Sequence, residues 1–246
     1  MESTPVGIQL YTVRQECKED FVGTLTALAE MGYDGVEFAW NYGGMSPAEL
    51  ADLLVELRLR PCGLHAPKDQ VAAPDSDAYA YARGLGCPFI STSLAGDVEK
   101  DWPAAIALVQ RAGRAAAQCG IQFTYHNHAQ EFQKLGGQYA LDVLYARTDP
   151  QQVQAELDTH WIARGGLDPA AYIRKYAGRM PQLHLKDIGP NQEFTEIGAG
   201  VLDLPGILAA ARDAGAQWII YEQDRCEGPP LESARVSITN LRKVLA

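Results

Sequence analysis

The chain has 246 residues, 47% hydrophobic and 21% charged, which is enough apolar content to bury one substantial core. Its 21 basic against 31 acidic side chains give a formal net charge of −10, which argues against an obligate nucleic-acid binder and against attraction to anionic lipid. No run approaches the roughly 18 apolar residues of a membrane span, and Met1-Glu2-Ser3-Thr4-Pro5 lacks the basic head and apolar stretch of a secretory signal.

One unit recurs along the chain: an amphipathic helical stretch, a glycine stop, then a short run rich in β-branched and aromatic residues. It appears as Leu28-Ala29-Glu30-Met31-Gly32 before Val36, as Ala116-Ala117-Gln118-Cys119-Gly120 before Ile121, and as Arg212-Asp213-Ala214-Gly215 before Trp218. Glycine just past a helix takes the left-handed conformation that ends it. Read this way, strands fall near 7–12, 34–39, 60–65, 88–94, 121–126, 153–158, 181–186 and 217–222. Between the second and third, Ser46-Pro47-Ala48-Glu49 has the pattern of a capping box with proline in the first turn. It opens a helix whose Leu50, Leu53, Leu54 and Leu57 share one face. Asp101-Trp102-Pro103 and Asp168-Pro169 read as further helix starts. Strand starts lie roughly 26 to 36 residues apart with no linker between them, so the expectation is one α/β domain over 1–246, a single (β/α)8 barrel. An open doubly wound sheet is the rival fold, and no GxGxxG loop follows the first strand to support it. The five cysteines form no CxxC pair and read as scattered thiols of a cytoplasmic protein.

Chemistry in such a barrel collects at the carboxyl ends of the strands. All five histidines, His65, His126, His128, His160 and His184, fall at or just after a predicted strand end. Carboxylates join them: Glu37 on strand two, Glu156 and Asp158 alternating on strand six, Glu222 ending strand eight. His184 and Lys186 alternate in the same way on strand seven, so each pair points to one side, toward the barrel axis. Ionised groups inside a barrel cost several kcal/mol each unless paired or bound to metal. A divalent cation shared by carboxylates and imidazoles is the simplest account, with a hydrogen-bonded ion-pair network as the alternative.

The ordered set Gln9-Leu10-Tyr11-Thr12-Val13-Arg14, Tyr125-His126-Asn127-His128, Glu156-Leu157-Asp158, His184-Leu185-Lys186-Asp187 and Glu196-Ile197-Gly198-Ala199-Gly200 resembles the sugar-phosphate isomerase/epimerase family. Its wider group is the xylose-isomerase-like TIM barrels, with ketose 3-epimerases, inosose dehydratases and isomerases, and apurinic endonucleases. The resemblance covers nearly the whole chain and is far more specific for the group than for a substrate. It implies one divalent metal held from strands five to eight, with Asp158, His184 and Glu222 matching the last three ligand positions. Ketose 3-epimerases supply a glutamate from strand five; this chain has no acid there until Glu131, so His126 is the candidate by strand position, with His128 close behind. Two imidazoles and two carboxylates suit Mn, Co or Zn better than Mg.

The implied activity is isomerisation or epimerisation of a keto sugar or keto-cyclitol through an enediolate, with dehydration of a keto-inositol or 3-keto sugar, or non-catalytic sugar binding, as alternatives. Glu222 is the expected proton carrier. Lys186 serves as general acid or base on the other face, its pKa lowered by burial beside a cation, unless it only pairs with Asp187 or Glu156. Glu37, His65, His128, Glu131, His160 and Glu196 are expected to contact substrate, and Tyr11, Trp40 and Trp161 either line a sugar face or pack. The glycines of Glu196-Ile197-Gly198-Ala199-Gly200 bring backbone close to a ligand or simply turn. The endonuclease alternative needs a basic face and more histidines than five. The expected partner is a small sugar; oligomeric state, a homo-oligomer included, stays open.

Overall fold

A computed structural model describes residues 4–94 and 98–245. Met1–Ser3, part of the stretch read as carrying no signal, therefore lies outside the described residues, as do the extreme ends of the 1–246 domain reading. Eight parallel strands close into a barrel in chain order: β1 (Val6–Gln9), β2 (Gly35–Ala39), β3 (Arg60–His65), β4 (Phe89–Thr92), β5 (Gln122–His126), β6 (Val153–Asp158), β7 (Gln182–Leu185) and β8 (Trp218–Tyr221). The ring is sealed by β1 against β8, with Val6 opposite Ile219 and Ile8 opposite Tyr221. The open-sheet rival is excluded by that closure.

Helices follow the strands, as the periodicity predicts. α1 (Arg14–Glu19) and α2 (Phe21–Met31) follow β1, and α3 (Pro47–Leu57) follows β2. The α3 capping box is complete, Ser46 and Glu49 each bonding the other's backbone. Leu50 and Leu54 of its apolar face are fully buried, with Leu53 and Leu57 packed half-buried beside them. Gly32, Gly120 and Gly215 all have the positive φ expected at a helix stop. Further along the chain come α4 (Asp77–Leu85), α5 (Val98–Gln118), α6 (Ala140–Ala146), α7 (Thr159–Arg164), α8 (Pro169–Lys175), α9 (Leu204–Ala214) and α10 (Pro230–Leu245).

Two expectations shift. β1 is shorter than 7–12: after Gln9 the chain turns, Thr12 N–H donating to the Gln9 carbonyl at 3.1 Å and Val13 N–H to that of Leu10 at 3.2 Å. Leu10, Thr12 and Val13 are nevertheless buried, so an apolar β-like run was spent on a loop folded over the barrel end. α5 starts at Val98, before Asp101, and Pro103 lies inside it, past the first turn, where it withdraws one backbone N–H from the helix ladder. Asp168 does cap α8, its carboxylate accepting the Ala170 N–H at 2.9 Å. The described cysteines are all free, and no described helix is long and apolar enough to cross a membrane.

The barrel interior is polar toward one end. Cys62, Phe89, Trp218 and Ile220 form an apolar cluster apart from the main core. Above it a buried hydrogen-bonded layer runs from Ser91 to Thr124 (2.6 Å) to Gln182 (2.9 Å), and Ser91 also donates to Glu156 at 3.2 Å. Gly63 faces this layer, where a Cβ would overlap the Glu37 carboxylate and the Gln182 amide. A side chain on that face would push apart the groups that support the site.

Candidate active site

His184 sits at the centre of the polar cluster. From β7 its Nδ1 lies 2.8 Å from Glu222 Oε2 and its Nε2 2.6 Å from Glu37 Oε2. Glu37 in turn accepts from the Gln9 amide at 2.8 Å. One ring nitrogen thus faces the strand-eight carboxylate, while the other is anchored from β2, an arrangement that fixes ring orientation. Burial disfavours a charged imidazole at His184, yet Glu156 and Glu37 hold its pKa well above the ordinary value. The same burial, with Glu156 nearby, lifts Glu37 to about 7.

Around His184, the ligand atoms of His126, Asp158, His184 and Glu222 all lie within 4.8 Å of one another. These are the four side chains singled out as a ligand set from the sequence. Each is buried: β5 delivers His126 at its last residue, β6 delivers Asp158 at its last, and Glu222 follows β8 directly. His126 Nδ1 and Asp158 Oδ2 are buried without a well-formed hydrogen bond. Each has instead a charged neighbour, Glu156 Oε2 at 3.3 Å and Lys186 Nζ at 3.1 Å, so their hydrogen-bonding capacity is incompletely used. The Lys186 ammonium already stands among these carboxylates, 3.1 Å from Asp158 Oδ2, 2.8 Å from Glu222 Oε2 and 3.0 Å from Asp224 Oδ2. Incompletely satisfied ligand atoms, a nitrogen–oxygen donor set and carboxylates already gathered about a cation together fit a divalent metal.

The charge states follow from burial and neighbours. Burial pushes His126 well below the ordinary histidine range, with His184 adding to the effect, so its imidazole is neutral and available as a ligand. Burial raises Asp158 to about 6 against the pull of Lys186. At Glu222 burial is outweighed by Lys186 and His184, which hold the carboxyl well below the usual range. The expectation of a lowered Lys186 pKa is not met: burial lowers it, but Asp158, Glu222 and Asp224 together raise it above its ordinary value. Its partners also differ from those expected. Asp187 faces away, its carboxylate taking the N–H groups of Gly198 (2.9 Å), Gly200 (3.1 Å) and Leu202 (3.3 Å). The glycine-rich loop therefore wraps an internal carboxylate. Glu156 faces the histidines: 2.7 Å to His65 Nε2, 3.3 Å to His126 Nδ1 and 3.4 Å to His184 Nε2.

A cavity of about 170 Å3 opens over this cluster, walled by Gln9, Tyr11, Trp40, His65, Ser93, His126, His128, Glu222 and Asp224. His65 and His128 therefore take the wall positions expected of them, and burial drops His128 to about 4, leaving it neutral. Four other residues expected to contact substrate do not line this cavity. Glu37 is completely buried beneath the cavity, where it positions His184. Glu131 is buried in the loop after β5, accepting from Tyr125 Oη (2.8 Å) and the His128 N–H (3.0 Å), and braces that loop. His160 stacks on Phe194 at 4.2 Å with Nδ1 near the Asp187 carbonyl, away from the cavity walls. Glu196 accepts from Ser233 on α10 at 2.7 Å and ties a loop to that helix. In each case the sequence marks a polar residue near a strand end, but which neighbour it meets depends on how the loops return.

Gln9, Ser93 and Asp224 are cavity residues that the sequence reading did not single out as site residues. Asp224 was findable: it lies two residues after Glu222, as Lys186 lies two after His184.

Comparison with known proteins agrees with this fold. Residues 25–244 match the family described as Xylose isomerase-like TIM barrel. Among solved structures, a sugar phosphate isomerase/epimerase from Parabacteroides distasonis superposes with a TM-score of 0.85 at 22% identity, covering 100% of this chain and 96% of that one. A D-psicose 3-epimerase from Clostridium cellulolyticum gives 0.71 at 16%, covering 98% and 99%. At these identities the likeness is one of fold. Among curated proteins, the inosose dehydratase of Lacticaseibacillus casei is 27% identical over 157 residues, 55% of this chain and 52% of that protein. The inosose dehydratase of Geobacillus kaustophilus is 30% identical over 160 residues, 56% and 51%. The chain thus spans about half the length of these curated relatives. With the closed barrel, the clustered ligand atoms and a family match over most of its length, the chain belongs to the xylose isomerase-like TIM barrel family.

Proposed function

We propose that this protein is a divalent-metal-dependent isomerase or epimerase acting on a keto sugar or keto-cyclitol. The observation that carries the reading is the convergence of His126, Asp158, His184 and Glu222 within 4.8 Å at the mouth of the barrel. These four side chains would hold the metal, which when bound supplies Lewis-acid polarisation of a substrate carbonyl and so acidifies the adjacent C–H. Mn, Co or Zn suits two imidazoles with two carboxylates.

The chain's own groups then divide the work. Glu37 fixes the His184 ring from behind, and Gln9 fixes Glu37. A Glu222 carboxylate oxygen, ionised at neutral pH, takes the α-proton. Lys186 Nζ lies at hydrogen-bond distance from Oε2 of Glu222 and from Asp224, two residues that wall the cavity. Beside Glu222 it is suited to donate to a substrate oxygen as charge builds there, a different duty from the opposite-face role read from the sequence. A second-face group comes from the remaining walls, where His65 and His128 offer imidazoles. Return of the proton to the other face gives epimerisation, and to the neighbouring carbon gives isomerisation.

Loss of a β-hydroxyl from the same intermediate gives dehydration, a second reading favoured by the curated relatives named inosose dehydratase. The test is deuterium incorporation from deuterated water, followed by NMR over a panel of ketoses and keto-cyclitols with added Mn2+, Co2+ or Zn2+. Cation-dependent exchange at the α-carbon supports the reading, and its absence with every substrate and cation refutes it. A new alkene signal identifies dehydration.

A further inference from the structure

Resting on that reading, one feature of the mouth points to the substrate's shape. The cavity over the ligand cluster, about 170 Å3, falls below the roughly 300–1,000 Å3 of pockets that enclose whole ligands. A second cavity of about 850 Å3 adjoins it and shares Tyr11, Ala39 and Trp40 as walls. Its other walls mix the apolar Cys17, Phe21 and Val22 with charged side chains. Trp40 (54%) and Val22 (46%) are among the few large apolar side chains left well exposed on the described surface, and both line this cavity.

Trp40 is also strained. It follows β2 with φ +57°, a left-handed conformation that is rare for a bulky residue. Of the other described non-glycine residues with positive φ, Arg58 ends helix α3; Trp40 caps no helix. The conformation carries the indole to the rim between the two cavities, against Tyr11 in an edge-on contact at 6.0 Å. Arg14 is already committed here: its guanidinium lies 4.2 Å over the Tyr11 ring and donates to the backbone carbonyls of Tyr11 (2.7 Å) and Asp224 (3.2 Å). The other charged walls are Lys18, Glu19 and Asp20, so the remaining cation is offset by two carboxylates. With Arg14 occupied, no net positive charge left and an exposed indole at the junction, the larger cavity favours an uncharged ring over a phosphate. At Gly43, with φ +65°, a Cβ would overlap the Phe21 ring, so glycine allows the loop to close over that wall.

We propose that the larger cavity is a second subsite, which takes the uncharged ring borne by a glycoside whose sugar unit occupies the smaller cavity, with Trp40 stacking on that ring. A glycosidic bond masks an anomeric carbonyl, so the reacting ketone of such a substrate lies on a ring carbon other than the anomeric one, as in a 3-keto glycoside.

The test uses metal-loaded protein with two probes, methyl and phenyl 3-ketoglucopyranoside. Affinity is measured by calorimetry and α-proton exchange by NMR. The expected result is phenyl binding roughly tenfold tighter than methyl, equivalent to about 1.4 kcal/mol, with the advantage lost in Trp40→Ala and retained in Trp40→Phe. Equal affinity of the two probes, or an advantage unchanged in Trp40→Ala, overturns the subsite. So does failure of both to bind, or a Trp40-dependent dimer in sedimentation, which would make the groove a contact between two copies. Trp40-dependent phenyl preference without exchange of either probe keeps the subsite and refutes the isomerase reading. Exchange with the methyl probe but no phenyl preference does the reverse.

Discussion

Lys186→Met separates the two duties of the buried ammonium. The lysine is 1% exposed, and its Nζ lies within 3.1 Å of three carboxylates, those of Asp158, Glu222 and Asp224. Methionine matches the stem but removes the charge, leaving those carboxylates without their cation. Breaking a buried ion pair by removing one partner costs about 3–5 kcal/mol. Asp158, already lifted to about 6, can relieve part of this by taking a proton, so the lower end, about 3 kcal/mol at neutral pH, is expected in chelated protein. A bound cation replaces the missing charge in the variant but meets the Lys186 ammonium in wild type, so it should bind the variant more tightly. A Kd about a hundredfold lower stabilises the variant by about 2.7 kcal/mol more than wild type at saturating metal. Urea denaturation should therefore show a deficit in chelated Lys186→Met that largely closes with saturating Mn2+. Turnover of the metal-loaded variant should fall by roughly two or more orders of magnitude, the range for a lost general acid. Unchanged stability in the chelated variant would refute the triple ion pair, and full turnover would refute any part for Lys186 in the chemistry.

Asp158→Asn should abolish stoichiometric metal after dialysis while keeping the α7 cap, whose Oδ1 accepts the Trp161 N–H at 3.0 Å; Asp158→Ala should lose the metal and a further ~1 kcal/mol of stability. Elemental analysis and urea denaturation read the two effects. Glu37→Gln leaves all four ligand side chains in place but loosens the His184 ring, so chelator competition should show metal affinity down about 10–100-fold; unchanged affinity would make Glu37 a filler. Glu131 tests the electrostatics outside the metal cluster. Its folded pKa, raised by burial to about 7 from 4.5, means its contribution is fully present below about pH 4.5 and is lost as pH rises through about 7. A shift of this size is worth about 3 kcal/mol. The stability of Glu131→Gln relative to wild type should therefore climb by up to that amount between pH 4 and pH 8, and a flat difference would show that Glu131 ionises freely.

Much of this protein is written locally. Helix stops at Gly32, Gly120 and Gly215, the Ser46–Glu49 capping box and the spacing of short apolar runs all act over a few residues, so the helix–strand alternation and the barrel follow from the sequence. The candidate ligand set is legible for a related reason. Side chains alternate along a strand, so Glu156 and Asp158 had to share a face, and closing eight such strands brings residues at their carboxyl ends to one mouth. What surrounds that mouth is decided elsewhere, by loops whose paths depend on distant contacts. Nothing near Glu131 says that Tyr125 and the His128 amide will claim it, and nothing near Asp187 says that a glycine loop will close on its carboxylate. The charge on Lys186 is the clearest case. Burial alone would lower its pKa, but β6 and the segment after β8 bring three carboxylates to one ammonium, and across about 3 Å of low-dielectric interior that attraction prevails.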